Sequence, residues 1–444
     1  MSTALEETAI RKSFRRLVSF LSLMMFCAVM DRVNVGFAAL SMNKDLGLSS
    51  AAFGFGAALF SLGYMLFEIP SNLILARVGA RRWLARIMVT WALISMATTL
   101  AAGPTSFYVL RFALGAAEAG FLPGVMFYLG YWFPGSVRAR TNAIFLVAMP
   151  LGQSLSALVS GPILAMDGTL GFYGWQWLFV IEGIPTLLVG FISWFYLCDR
   201  PRDARWLSPA ERVALEELVE REKLLHAKLD TTKYLTVFTD RRVVGLGAIY
   251  ALISVVLTGV PLWLPQIMRT LELSYVVTGV LVALPPLFGT VVMILWGRSS
   301  DRRAERILHI VFAMLMCACG WLLAASQQYA GFGAAFTLIF GMMVANAGVL
   351  AALAVFWTLP ARSLSGAAAA SGIAFISAVG NIGSMIGPPV VGHLRDLTHG
   401  FSVPFLFMAG VALLSGILLP WLIRPSSKLK NSEEEIRVQT EAKV

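Results

Sequence analysis

Apolar residues fill runs of about 20 positions along almost the whole 444-residue chain, broken by short clusters of glycine, proline and basic residues. One such run is what a helix needs to cross the roughly 30 Å hydrocarbon layer of a bilayer. A closed barrel is the other spanning solution, but barrel strands are short and alternate in polarity, whereas these runs are long and continuous. With turn residues and charge clusters as boundaries, the pattern predicts helices over 17–40, 53–75, 83–102, 105–133, 139–165 and 175–197. Six more are predicted over 243–268, 275–297, 306–326, 331–358, 365–393 and 402–423. The expectation is an all-α polytopic membrane protein with twelve transmembrane helices in two six-helix bundles, 17–197 and 243–423. A tail of residues 1–16, a linker of 198–242 and a tail of 424–444 complete the chain. The linker opens on a proline-rich turn, and Ser208-Pro209 followed by Glu211 predicts the start of a solvated amphipathic helix.

Composition agrees with the pattern. Hydrophobic residues make up 58% and charged residues only 14% of the chain, where a soluble domain is about half apolar and about a quarter charged. The formal charge of +10 does not point to nucleic acid, because the basic residues sit in short clusters between apolar runs. All but five of the 35 lysines and arginines fall on the side of the membrane that carries both termini, which places those termini in the cytoplasm of a bacterial inner membrane protein. The first run carries charges at its centre and lacks a small-residue cleavage site, so it reads as a retained helix. The four cysteines, Cys27, Cys198, Cys317 and Cys319, have no ligand set around them; neither a metal nor a cofactor is expected.

The two halves echo each other. After the second predicted helix the chain reads ARVGARRWLAR (Ala76 to Arg86), and after the eighth GRSSDRRAER (Gly297 to Arg306). A basic cytoplasmic turn at the same place in each half is what duplication of a six-helix unit leaves behind. The orientation rule alone also enriches arginine in such turns, but the Gly297-x-x-x-Asp301-Arg302 spacing makes the echo more specific.

Four ionisable residues are read at membrane depth: Asp31 and Arg32 in the first helix, Arg111 and Glu118 in the fourth. Each costs about 2.5 to 3.5 kcal/mol at a helix centre, and residues that carry such a cost generally mark substrate or ion pathways. Neighbours on a helix point about 100° apart, so Asp31 and Arg32 cannot face each other and each needs a partner on another helix. Arg111 and Glu118, two turns apart, share a face about 10 Å apart along the axis. Two cross pairs are economical, for example Arg32 with Glu118 and Asp31 near Arg111. The plainer alternatives are that these pairs only lock helices together, or that Arg111 snorkels outward. Ionised in full, the four sum to zero. Protonating Asp31 or Glu118 leaves a positive pocket that a substrate carboxylate neutralises, so proton and anion would favour each other's binding.

The second half offers Asn346, Trp357, Ser377 and Asn381, with His309 and His393 near helix ends. A substrate with one strongly held carboxylate suits such an uncharged wall. Trp357 could stack on a ring or sugar face or simply pack, and the glycines around Asn381 also suit close helix packing.

At these residues the sequence resembles the major facilitator superfamily, and within it the anion:cation symporter family of sialin and the bacterial tartrate, phthalate, sugar-acid and hydroxyphenylacetate permeases. The most specific stretches are DRVNVGFA, RFALGAAEAGFLPG and FWTLPARSLSGAAAASGIAFISAVGNIGSMIGP, and the resemblance covers all twelve spans. It implies proton-coupled import of a small organic anion by rocker-switch alternating access. By motif position Asp31 and Glu118 match the proton-coupling acids. Arg32 and Arg111 match arginines at the anion site and coupling network, and Tyr64 and Trp357 match pocket positions. Gln153 is a looser pocket candidate. Ser377 falls where sugar-acid members carry asparagine. In the gating turns, Arg77, Asp301 and Arg302 match, but the first turn has Ala76 where the superfamily pattern has aspartate.

A membrane-embedded enzyme needs a reactive set facing water or headgroups, and no loop carries a His/Asp cluster, a nucleophile elbow or a Gly-Lys phosphate loop. The expectation is therefore a non-enzymatic symporter for a carboxylate such as a hydroxy, sugar or aromatic acid. It would act as a monomer with protons, substrate and lipid as its partners, an uncoupled facilitator or exchanger being the alternative.

Overall fold

A computed structural model describes residues 2–227, 239–329, 333–363 and 366–422; the expected C-terminal tail and part of the linker lie outside these. Twelve helices are long and apolar enough to cross a membrane. In chain order they are α1 (Ala4–Asp45), α2 (Ser50–Val78), α3 (Ala80–Leu100), α4 (Pro104–Gly130), α5 (Ile144–Leu164) and α6 (Gly174–Tyr196), then α7 (Arg241–Arg269), α8 (Tyr275–Arg303), α9 (Ile307–Ala325), α10 (Ala334–Pro360), α11 (Gly372–Thr398) and α12 (Ser402–Leu422). The chain is an all-α multi-pass membrane protein.

Three expected boundaries change. The N-terminal tail is helical from Ser2 and runs through a π turn at Phe14–Val18 into α1. This extension packs on the linker helix, Pro209–Ala227, where Lys12 Nζ meets Glu211 Oε1 at 2.7 Å. The predicted start of that linker helix is present as a reciprocal cap: Ser208 N–H donates to Glu211 Oε2 (2.9 Å), and Glu211 N–H to Ser208 Oγ (3.3 Å). Secondly, α4 is not continuous. Its first segment ends at Glu118, Ala119 is extended, Gly120 is left-handed at φ 85°, and the helix resumes at Phe121. Thirdly, α8 runs to Arg303, so Gly297, Asp301 and Arg302 lie in its last turns, and the tight turn is at left-handed Ala304.

The basic turn between α2 and α3 is built differently from its echo. It pivots on Gly79, with φ 98°, which only glycine adopts without strain. The acid that Ala76 does not supply comes from the end of the first half: Asp199 Oδ1 accepts the Arg81 N–H at 2.9 Å, and a Cβ on Gly79 would crowd that carboxylate. In the second turn Asp301 pairs with Arg306 at 2.6 Å. Arg77 and Arg302 are exposed.

The first and last six spans meet at the end away from the chain termini. Gly54 of α2 lies against the Pro388 carbonyl of α11, and Gly392 of α11 against the Ser50 carbonyl. A Cβ on Gly36 would lie 2.9 Å from the Leu262 carbonyl oxygen, and one on Gly161 2.6 Å from that of Tyr275. Small residues admit such backbone approach. Asp396 completes this seal across the halves, accepting the Ser50 and Ala51 N–H groups at 3.0 and 2.7 Å and so capping the start of α2.

Candidate functional site

The close crossing of α2 and α4 sets the site. Gly63 of α2 faces the Phe112 carbonyl and Gly115 of α4 faces the Phe60 carbonyl, so Phe60 and Tyr64 are held against Arg111 and Glu118. Arg32 of α1 reaches into this corner. Its guanidinium bonds Glu118 Oε1 through Nη2 at 2.5 Å and Nε at 2.8 Å, a two-pronged contact, and lies 5.5 Å from the Tyr64 ring centre. Glu118 is fully buried, while the Arg32 side chain keeps 39% of its exposure. Because Glu118 closes the first segment of α4, the negative end of that segment's dipole adds to the attraction for Arg32.

Asp31 points elsewhere, as the 100° rule requires. Its Oδ1 accepts the Ser95 hydroxyl of α3 and lies 3.5 Å from Asn34 Nδ2. The expected neighbourhood of Asp31 and Arg111 does not become an ion pair: among the described residues, no carboxylate comes within 4 Å of Arg111. That guanidinium is buried at 5% exposure, lies 4.8 Å from the Phe60 ring centre, and leaves Nε without a hydrogen-bond partner. Nor does Arg111 snorkel.

The reading of four ionisable residues is too few. Glu68, one turn after Tyr64 on α2, and Glu182 of α6 also sit within spans. Their signal was the same one, a carboxylate inside an apolar run, in LFEIPS and VIEGIP. Two arginines therefore face four carboxyls, and the full set does not sum to zero; ionised throughout it is negative. Glu182 is buried at 3% exposure and its Oε1 accepts the Ser160 hydroxyl of α5 at 2.7 Å. Glu68 carries the contact chain to the second half, where Asn381 Nδ2 lies 3.5 Å from its Oε2. Beside Asn381, Gly380 admits the Tyr250 ring, and Tyr250 packs edge-on to Trp357 with centroids 4.8 Å apart.

Arg32, Glu118, Tyr64, Asn381 and Trp357 thus fall on one path across both halves. Ser377 is half-buried one turn before Asn381, and Gln153 is half-buried on α5; the described contacts do not bring Gln153 into the path. Asn346 instead packs against Gly289 between α10 and α8. Phe60, Ser95, Asn34 and Ser160 were not singled out from the sequence, since a ring or hydroxyl in an apolar helix carries no mark of its partner.

The family model for the Major Facilitator Superfamily matches residues 21–372. The chain belongs to that superfamily. It is a membrane transporter of small organic substrates, not an enzyme. Its relatives in the superfamily include a provisionally named tartrate transporter of Agrobacterium vitis, 43% identical over 426 residues that cover 96% of this chain and 93% of the relative. A quinolone resistance transporter of Acinetobacter baumannii is 37% identical over 428 residues, covering 94% and 95%. Among solved structures, the inward open conformation of the xylose transporter XylE from E. coli superposes with a TM-score of 0.76 at 15% identity, covering 93% of this chain and 96% of that one. This last likeness concerns the fold alone.

Proposed function

We propose that the protein is a proton-coupled symporter that imports a small organic anion, a carboxylate such as a hydroxy, sugar or aromatic acid, by alternating access. The observation that carries this reading is Arg111, a buried guanidinium with no carboxylate in ion-pair reach, set beside a second guanidinium that Glu118 already holds. A buried charge without a partner is costly, and a substrate carboxylate supplies the missing one. Four carboxyls around two arginines repel an anion while all are ionised. Protonating Glu118 removes one of those charges and releases Arg32 to the cavity, so proton binding and anion binding assist each other. Asp31 is the second coupling acid. Tyr64, Gln153, Trp357, Ser377 and Asn381 then shape the pocket around the rest of the substrate.

With both termini in the cytoplasm of a bacterial inner membrane, the sealed end described above faces outward. Arg77, Asp301 and Arg302 border the cytoplasmic gates, and the protein works as a monomer. The 43% identical relative named for tartrate makes tartrate the first probe. Thermal unfolding of the purified protein, with and without tartrate and a panel of aliphatic and aromatic monocarboxylates, tests the reading at two pH values. A ligand that binds the folded state at 100 times its Kd stabilises by about 2.7 kcal/mol. The expected result is a larger stabilisation at the lower pH by at least one carboxylate; no stabilisation by any, or more at the higher pH, contradicts the reading.

A further inference from the structure

Asp31 and Asn34 stand one turn apart on α1, and Glu182 of α6 is a neighbour of both. Asn34 Nδ2 is 3.5 Å from Asp31 Oδ1, and the same side chain lies in interaction range of the Glu182 carboxyl. All three are buried, at 5%, 1% and 3% exposure. Each leaves one oxygen without a hydrogen-bond partner: Asp31 Oδ2, Asn34 Oδ1 and Glu182 Oε2. The other carboxylate oxygens are served by Ser95 from α3 and Ser160 from α5. The unserved atoms are all acceptors, so the cluster lacks hydrogens and not neighbours. One proton on Glu182 corrects this once the amide moves from Oδ1 of Asp31, which Ser95 already serves, to Oδ2: the acid's O–H donates to Asn34 Oδ1, and the amide NH2 is then fixed on ionised Asp31. If the proton sits on Asp31 instead, the amide turns over and serves ionised Glu182, with no other change. Buried polar groups are satisfied in folded proteins, and these two arrangements satisfy the same set equally well.

We propose that Asp31, Asn34 and Glu182 form one proton-binding site with two seats, and that Glu182 holds the proton whenever Asp31 is ionised. Glu182 is here a positioning residue that acts on Asp31 through the Asn34 amide. The proposal rests on the coupling role given to Asp31 above. The other charges felt at the site are Glu118 and Arg111 of α4, which act on Asp31, and the nearest further titratable group is the Cys27 thiol of α1, which neighbours Thr186 of α6. These two α4 groups carry opposite charges, and among the described residues no ion pair holds either seat ionised.

Infrared difference spectra of the full-length protein in lipid, taken as unsubstituted minus substituted protein at neutral pH without substrate, test this directly. The protein is expected to show at neutral pH a protonated-carboxyl stretch that Glu182→Gln removes and Ser160→Ala shifts, and that Asp31→Asn leaves in place because the proton then resides on Glu182. The Ser160→Ala arm retains the acid and so decides the assignment even where Glu182→Gln folds poorly. In proteoliposomes, Glu182→Gln permanently occupies Asn34 Oδ1 with an amide NH2 and holds Asp31 ionised. The pH midpoint of tartrate uptake should therefore fall by about one unit or more. An unshifted midpoint, or a neutral-pH spectrum in which Glu182→Gln and Ser160→Ala change no protonated-carboxyl stretch, overturns the two-seat site. Absence of tartrate uptake by the unsubstituted protein strikes the transport reading instead, and the infrared arm then decides the site alone.

Discussion

Arg111 and Arg32 both lie near the Phe60 ring but differ in state, since Arg32 has a carboxylate partner and Arg111 only the phenyl face. That difference gives them separate predicted phenotypes. Arg111→Gln removes the free guanidinium and should weaken carboxylate binding by about 2–5 kcal/mol, at least tenfold in Kd, with little change in stability; isothermal titration with tartrate checks this. Arg32→Gln strands Glu118, a fully buried carboxyl, and should destabilise the fold by about 3–5 kcal/mol unless the acid takes a proton. The reverse order of effects would mean that the anion binds on Arg32. At this scale the sequence was informative where cost is visible. An acid or base inside an apolar run announces itself, and Asp31, Arg32, Arg111 and Glu118 were all found that way. The angular argument also correctly separated Asp31 from Arg32. What it could not supply was the partner: Ser95, Asn34 and Phe60 come from other helices or other turns, and nothing local in the chain marks a serine as the one that faces an aspartate.

The broken fourth helix is the element on which the site depends. Gly120 takes a left-handed conformation two residues after Glu118, and a Cβ there would also meet the Ser71 hydroxyl at 2.5 Å. Gly120→Ala should cost about 1–2 kcal/mol from the backbone alone and displace Glu118 from Arg32. The check is a lowered Tm together with a raised tartrate KM. The unbroken run of apolar residues through FALGAAEAGFLPG concealed this break, because glycine is tolerated in membrane helices and its left-handed φ is set by the crossing with α2. Residues 2–13 are polar, so no apolar run marked them as part of the first helix; they are helical and packed on the linker helix. Helix existence followed directly from apolar length; helix ends and interruptions followed from contacts that are distant in sequence. A second element, the α2 start capped by Asp396 from the other half, holds the sealed end together. Asp396→Asn keeps the size and loses the charge on the cap, and it should shift the population toward the state open at that end, measured as faster amide hydrogen exchange over residues 53–57 and 390–394.

Across the whole molecule, the proposed proton coupling makes acidification the driving signal, so the contacts that hold the architecture must survive it. Glu211 is the clearest test outside the membrane. The Lys12 ammonium, and then the Ser208 backbone N–H, hold its carboxyl below the usual glutamate range. A carboxyl whose folded pKa is depressed contributes stability above its unfolded pKa, and that contribution is lost only as pH falls through the lower, folded value. The N-terminal helix should therefore stay docked on the linker helix from neutral pH down to about pH 5 and loosen only below the ordinary glutamate range; amide hydrogen exchange of residues 4–13 reports it. On the proposed coupling, transport would then respond to pH within the membrane core while the Lys12–Glu211 clamp does not. The twelve-span architecture is legible from the apolar runs alone, but the charge sum on which the proposed coupling rests needs all four acids, and Glu68 and Glu182 are recognised only in the structure. The most direct measurement of that coupling uses proteoliposomes with an imposed inward proton gradient and no other ion gradient. The account predicts that the unsubstituted protein accumulates tartrate above its external concentration, and that Asp31→Asn and Glu118→Gln exchange tartrate without accumulating it. Accumulation by both variants equal to that of the unsubstituted protein would contradict the coupling.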